Sequence, residues 1–238
     1  MVTNMMGGSA REGLQNAMKL GGPIIITGVA RGGTSLVAGM CHHLGLPLGK
    51  GGPRYENPYL QWAATQEKWD AVAKMGEILS AHHEVWGWKL PALHRRLDLV
   101  HEIFPQSRFI LVFKDPVSVS LRKASLSADS MVRLDRTIGA YKLMSSFSRA
   151  NSNVCHVFSY SNILESFDGE VVRISEIVGS DRVDAHEVRR KIDEDYVRYQ
   201  NATYMPRLRG EVDRLLSAVC SAYGVERPAK AKSECAER

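Results

Sequence analysis

Three cations of this chain, Arg31, Lys89 and Lys114, stand where an apolar run gives way to a turn, a position from which a side chain can meet an anionic ligand. Arg31 lies in Gly28-Val29-Ala30-Arg31-Gly32-Gly33-Thr34-Ser35, directly after the strand-like run Pro23-Ile24-Ile25-Ile26-Thr27. Leu36, Val37, Met40, Cys41 and Leu44 follow at helical spacing. Strand, glycine turn and helix start, in that order, make a seat for a phosphate or sulfate. The first N–H groups of a helix have no partner within it, and the helix dipole favours an anion there. Gly32 and Gly33 reach backbone angles closed to other residues and let the anion come close. The chemistry on offer is the holding of such a group.

Details of the turn narrow the class. The phosphate loop of nucleotide triphosphatases has two glycines separated by four residues, then a lysine and a hydroxyl residue. Gly28 and Gly33 have that spacing and Ser35 supplies the hydroxyl, but Thr34 stands in the lysine position. A magnesium-dependent nucleotide kinase or hydrolase is therefore the weaker reading, and magnesium dependence would distinguish it.

A cation early in the loop, followed by Gly32-Gly33-Thr34-Ser35, resembles the 5′-phosphosulfate loop of sulfotransferases that use 3′-phosphoadenosine 5′-phosphosulfate (PAPS). The family's second signature is a strand ending in Arg-Asp-Pro or Arg-Asn-Pro and, after a fixed interval, a serine. Here an apolar run over 107–113 ends in Lys114-Asp115-Pro116-Val117-Ser118-Val119-Ser120-Leu121-Arg122. Lys114 takes the arginine position, keeping the charge without the bidentate fork. Arg122 takes the serine position, with Ser118 and Ser120 close before it. Trp86-Gly87-Trp88-Lys89-Leu90-Pro91 is similar to a stretch of bacterial and carbohydrate-type members, with Leu90 for an aspartate. Tyr160-Ser161-Asn162-Ile163-Leu164 resembles the family's Tyr-Glu-Asp-Leu element.

The resemblance runs over roughly residues 22–165, with the four motifs in order. It implies an α/β protein with a three-layer, P-loop-like fold, in which a central, mainly parallel sheet is flanked by helices. It also implies transfer of a sulfuryl group from PAPS to a hydroxyl or amine of a small-molecule or carbohydrate acceptor. The product 3′-phosphoadenosine 5′-phosphate (PAP) would leave, and no metal would be needed. By the same resemblance, Arg31 and the amides of Gly32, Gly33, Thr34 and Ser35 hold the 5′-phosphosulfate. Lys89 adds charge near the transferred group. Lys114, Ser118, Ser120 and Arg122 lie at the 3′-phosphate, and Tyr160 lies near the adenine. The departures at Leu90, Lys114 and Arg122 keep open a non-catalytic PAP- or anion-binding protein, whose sign would be binding without turnover.

A general base is the remaining need, and the family uses a histidine or glutamate for it. Glu56 is the first candidate, with His82 or His83 behind it. The adjacent pairs His42-His43 and His82-His83 face different directions on a helix or strand, unlike the paired ligands of a zinc helix. The four tryptophans fall between positions 62 and 88. They form either an aromatic wall for an acceptor or core, and the helical spacing of Trp62 and Trp69 favours core. Trp86 and Trp88 flank Gly87 and share one side of a short strand. Lys89 at its end either faces the edge where α/β sheets bind ligands or is solvated.

These groups need positioning elements. The pattern predicts strands over 23–27, 86–89, 107–113 and 154–160. It predicts helices over 36–44, 59–81 and 93–103, and one from Pro116, capped by Asp115. The stretch 45–58 is rich in glycine and proline and reads as a candidate lid or acceptor loop. Arg189, Arg190, Lys191, Ile192 and Tyr196 look like a solvated helix, and 205–223 like a closing core helix. The organisation is then a loosely attached segment over 1–20, a single domain over 21–225, and a disordered tail over 226–238. With 238 residues, 44% hydrophobic and 24% charged, the chain can build a full core. A net charge of +5 fits an anionic ligand, and no basic-aromatic pattern points to nucleic acid. No apolar run spans a bilayer and no leader-like core begins the chain. Cys41, Cys155, Cys220 and Cys235 are scattered without metal or redox spacing, as in a cytoplasmic protein with reduced thiols. The motifs leave the acceptor and the oligomeric state open.

Overall fold

A computed structural model describes residues 22–49, 54–121, 128–181 and 183–200. The proposed N-terminal segment, the helix over 205–223, the tail and Arg122 lie outside the described residues.

Among the described residues four strands form one parallel sheet: β1 (Gly22–Thr27), β2 (Val85–Lys89), β3 (Arg108–Phe113) and β4 (Cys155–Ser159), in the order β2-β1-β3-β4. The residues of β1, β2 and β3 are nearly all buried because both faces are covered, whereas in β4 only Phe158 is buried. Alternation along each strand sends side chains into two cores. Ile24, Ile26, Ile110, Val112 and Phe158 enter one, while Ile25, Trp86, Trp88, Phe109 and Leu111 enter the other. The first core is closed by α1 (Thr34–His43), α7 (Tyr160–Glu165), α8 (Phe167–Val178) and α9 (Ala185–Gln200). On the second lie α2 (Pro58–Thr65), α3 (Trp69–His82), α4 (Leu97–Ile103) and α6 (Ala128–Ala150). A short α5 (Pro116–Ser120) follows β3. The result is the three-layer, P-loop-like α/β architecture.

Three expectations change in detail. The helix expected over 59–81 is two helices, because Glu67 takes a left-handed φ of 55° and breaks the run after Gln66. Periodicity crosses the break unseen, since Tyr59, Trp62 and Trp69 all pack into the same layer. The helix over 93–103 is a 3₁₀ turn, Pro91–Arg95, followed by α4 after Arg96. The helix carrying Arg189, Arg190 and Lys191 is only half solvated. Val188 is buried, Ile192 packs on the first core, and Arg189 lies 4.3 Å over the Phe167 ring. Trp62 and Trp69 join Trp86 and Trp88 against the second core, so the aromatic cluster is packing. The described start of the 45–58 loop is pinned. Leu46 and Leu48 are buried, and the Gly87 N–H donates to the Pro47 carbonyl at 2.8 Å.

At the opposite edge of the sheet from the glycine turn, Arg108 is buried and donates through Nη1 to the Ile177 carbonyl. Burial, and then the charges of Arg108 and Arg173, push the neighbouring His156 down from 6.5 to about 4. Below about 6.5 the unfolded chain binds a proton that folded His156 takes only near 4. Stability is therefore complete above that range and is lost as pH falls through it, by about 1–3 kcal/mol. Urea unfolding of His156→Gln at pH 7 and pH 4.5 should show a smaller acid loss than the native chain. An identical loss in both would reject His156 as the source.

Candidate active site

The carboxyl ends of the parallel strands gather the glycine turn, Lys89, Lys114 and Tyr160 at one edge, the usual ligand edge of such sheets. β1 ends at Thr27, whose buried hydroxyl donates to the carbonyls of Leu90 (3.0 Å) and Pro91 (3.1 Å). That bond ties the start of the glycine turn to the segment after β2. His94 makes a second tie, with its Nδ1 2.9 Å from the Gly28 carbonyl and 2.8 Å from that of Pro91. Both partners only accept, so Nδ1 carries the proton.

Within the turn the Gly32 N–H donates to the Val29 carbonyl at 2.9 Å. Arg31 takes a left-handed φ of 68° and is exposed. Gly33, at φ 88°, precedes Thr34 at the head of α1. It offers no side chain to cap the helix, so the opening N–H groups are directed at whatever occupies the turn.

Lys89 ends β2 almost fully buried, which resolves its orientation toward the site. Its Nζ lies 2.6 Å from Glu56 Oε1 and 3.3 Å from Ser35 Oγ in the first turn of α1. The side chains of Lys89 and Glu56 are only 3% and 13% exposed, so the pair is screened from water. Glu56 is positioned from behind by Asn57, whose Oδ1 accepts from the N–H groups of Tyr59 and Leu60 and starts α2. His82 and His83 are exposed at the end of α3, before β2 begins, and therefore at the opposite edge from Lys89.

A second group forms at the ends of β3 and β4. The Lys114 ammonium sits 4.5 Å over the Tyr160 ring, a cation–π contact. That ring lies against Gly33. Tyr141 grips the Lys114 backbone from both sides: its hydroxyl accepts from the Lys114 N–H at 3.0 Å and donates to the Lys114 carbonyl at 2.7 Å. Burial pushes the Tyr141 phenol up, so it remains a donor. Asp115 caps α5 by accepting from the Ser118 N–H at 2.6 Å, and its carboxyl is held below the usual range chiefly by Ser118. Ser118 is exposed, whereas Ser120 is buried and spends its hydroxyl on the Pro116 carbonyl at 2.7 Å.

The structure thus unites Ser35, Glu56 and Lys89, and separately Gly33, Lys114 and Tyr160. His94 and Tyr141 had no local sequence signal, since their partners lie 66 and 27 residues away.

A parallel sheet whose glycine turn opens a helix, with a buried lysine and two further cations on the same edge, defines a P-loop-like protein built to handle an anionic group. Residues 52–184 match the model of the sulfotransferase family, and the chain belongs to that family. No curated protein matches the chain. The matched stretch takes in Glu56, Lys89, Lys114 and Tyr160, while the glycine turn lies before it. Among the described residues no helix is long and apolar enough to cross a membrane.

Proposed function

We propose that the protein transfers a sulfuryl group from PAPS to a hydroxyl or amine of a small-molecule or carbohydrate acceptor and releases PAP, as a cytoplasmic enzyme. The observation that carries this reading is the buried Lys89–Glu56 pair set against Ser35 at the head of the glycine-turn helix. The acceptor oxygen or nitrogen bonds to sulfur as the bond from sulfur to the bridging oxygen breaks, and that electron pair leaves on the 5′-phosphate. Glu56 takes the acceptor proton. Arg31 and the N–H groups of Gly33, Thr34 and Ser35 meet the phosphosulfate, the Gly32 N–H being spent instead on the Val29 carbonyl inside the turn, and Lys89 meets the charge that grows during transfer. Fixed cations and dipoles of this kind give the largest share of catalysis in such reactions. Lys114 and Ser118, with Arg122, take the 3′-phosphate, and Tyr160 borders the nucleotide.

Calorimetric titration with PAP, beside ATP with magnesium, tests the reading. PAP should bind and ATP should not. In Arg31→Ala, loss of a charge-assisted contact should weaken PAP by roughly 10- to 100-fold. Absence of PAP binding, or tighter binding of ATP with magnesium, would reject PAPS as the donor.

A further inference from the structure

We infer that Asp195 is a positioning residue for the Glu56 base, acting through Tyr55. This rests on the role of Glu56 proposed above. Tyr55 directly precedes Glu56 and holds a left-handed φ of 55°, unusual for a bulky residue and costing about 1–3 kcal/mol. Such a backbone persists only where the surroundings overdetermine it. Here they do. The ring is 6% exposed, and the space above Gly39 of α1 is filled by it, so that a Cβ there would lie 3.2 Å from both Tyr55 Cε2 and its hydroxyl. His42 and His43 rings lie 5.4 and 6.2 Å from the Tyr55 ring.

The hydroxyl is then fixed from α9. Tyr55 donates to Asp195 Oδ2 at 2.6 Å, and His43 Nε2 lies 2.9 Å from the same oxygen. One carboxylate therefore joins the end of the glycine-turn helix to the residue before the base. On the other side Asn57 caps α2. Glu56 is suspended between these two anchors, and that holds its carboxylate against Lys89. Asp195 and His43 both lie outside the stretch 52–184 that matches the family, so this anchor belongs to elements the family model does not span.

The test uses the full chain with Tyr55→Phe, Asp195→Ala and Asp195→Asn. Tyr55→Phe keeps the ring in its socket and removes only the bond, so it stands even where Asp195→Ala fails to fold. Without ligand, amide exchange over 54–57 should rise roughly tenfold or more in Tyr55→Phe and Asp195→Ala, with β1 and β3 unchanged. In Asp195→Asn, whose amide oxygen still accepts, exchange should stay near native. With PAPS and an acceptor, kcat should fall roughly 10- to 100-fold in the first two variants, while PAP affinity stays within about twofold. Unchanged exchange at 54–57 would overturn the anchor. Exchange raised equally across the sheet would make it mere stability. Local exchange raised with kcat intact would overturn the positioning role. The exchange arm needs no donor, so it decides the anchor even if PAP does not bind.

Discussion

Glu56→Gln should lower kcat for sulfuryl transfer by roughly 10²- to 10⁴-fold, the usual worth of a general base, with PAP affinity little changed. The substitution preserves shape and an oxygen able to accept from Lys89 Nζ, now 2.6 Å away, so the turn and α2 keep their places. What is lost is the proton acceptor and one charge of a buried pair. Lys89 is left without its nearest carboxylate, which destabilises the fold; removal of one partner of a buried pair costs about 3–5 kcal/mol, and the amide should recover part of that. Lys89→Met removes the other partner and should also depress kcat. The double variant is the more telling measurement. If the pair works as a unit in one step, Glu56→Gln with Lys89→Met loses little more than the worse single change. Fully additive losses in single-turnover assays would show that the two act independently. Native kcat in Glu56→Gln would move the base elsewhere.

Much of this site could be read before the fold was seen, because its parts announce themselves locally. An apolar strand, a glycine turn and a periodic helix needed only neighbours in sequence, and the structure has β1, the turn and α1 in that order. The cations at strand ends were equally plain, as Lys89 and Lys114 each follow an apolar run. The supports were not. Tyr55 and Asp195 are 140 residues apart, and nothing in the character of either predicts the other. Thr27 and His94 hold the turn through carbonyl oxygens of Gly28, Leu90 and Pro91, which every residue possesses and no sequence pattern marks. Helix breaks were hidden for a related reason. Glu67 interrupts a run whose aromatic residues continue into the same core, so periodicity registers the shared face and not the bend. Local chemistry sets which groups reach the edge of the sheet; long-range bonds set how firmly they are held there.

Gly33→Ala tests that firmness at the centre of the turn. Two independent effects add at this position. At φ 88° an alanine is strained by about 1–3 kcal/mol. A Cβ built there would also lie 2.1 Å from Tyr160 Cδ2, overlapping the edge of the ring. Either the ring swings away or the turn refolds. Tyr160 carries the Lys114 ammonium on its face, so a displaced ring withdraws that cation's support, although Tyr141 continues to hold the Lys114 backbone. The expected result is a loss of about 2–3 kcal/mol, or roughly 5–10 °C in Tm for a chain of this length. PAP affinity should fall roughly a hundredfold or more, since the N–H groups at the head of α1 no longer converge. Adding Tyr160→Ala separates the causes. The smaller side chain relieves the clash and should return part of the Tm, while the share of the loss that the strained φ causes remains. Native affinity in Gly33→Ala, measured by calorimetry, would mean that the anion does not sit in this turn at all.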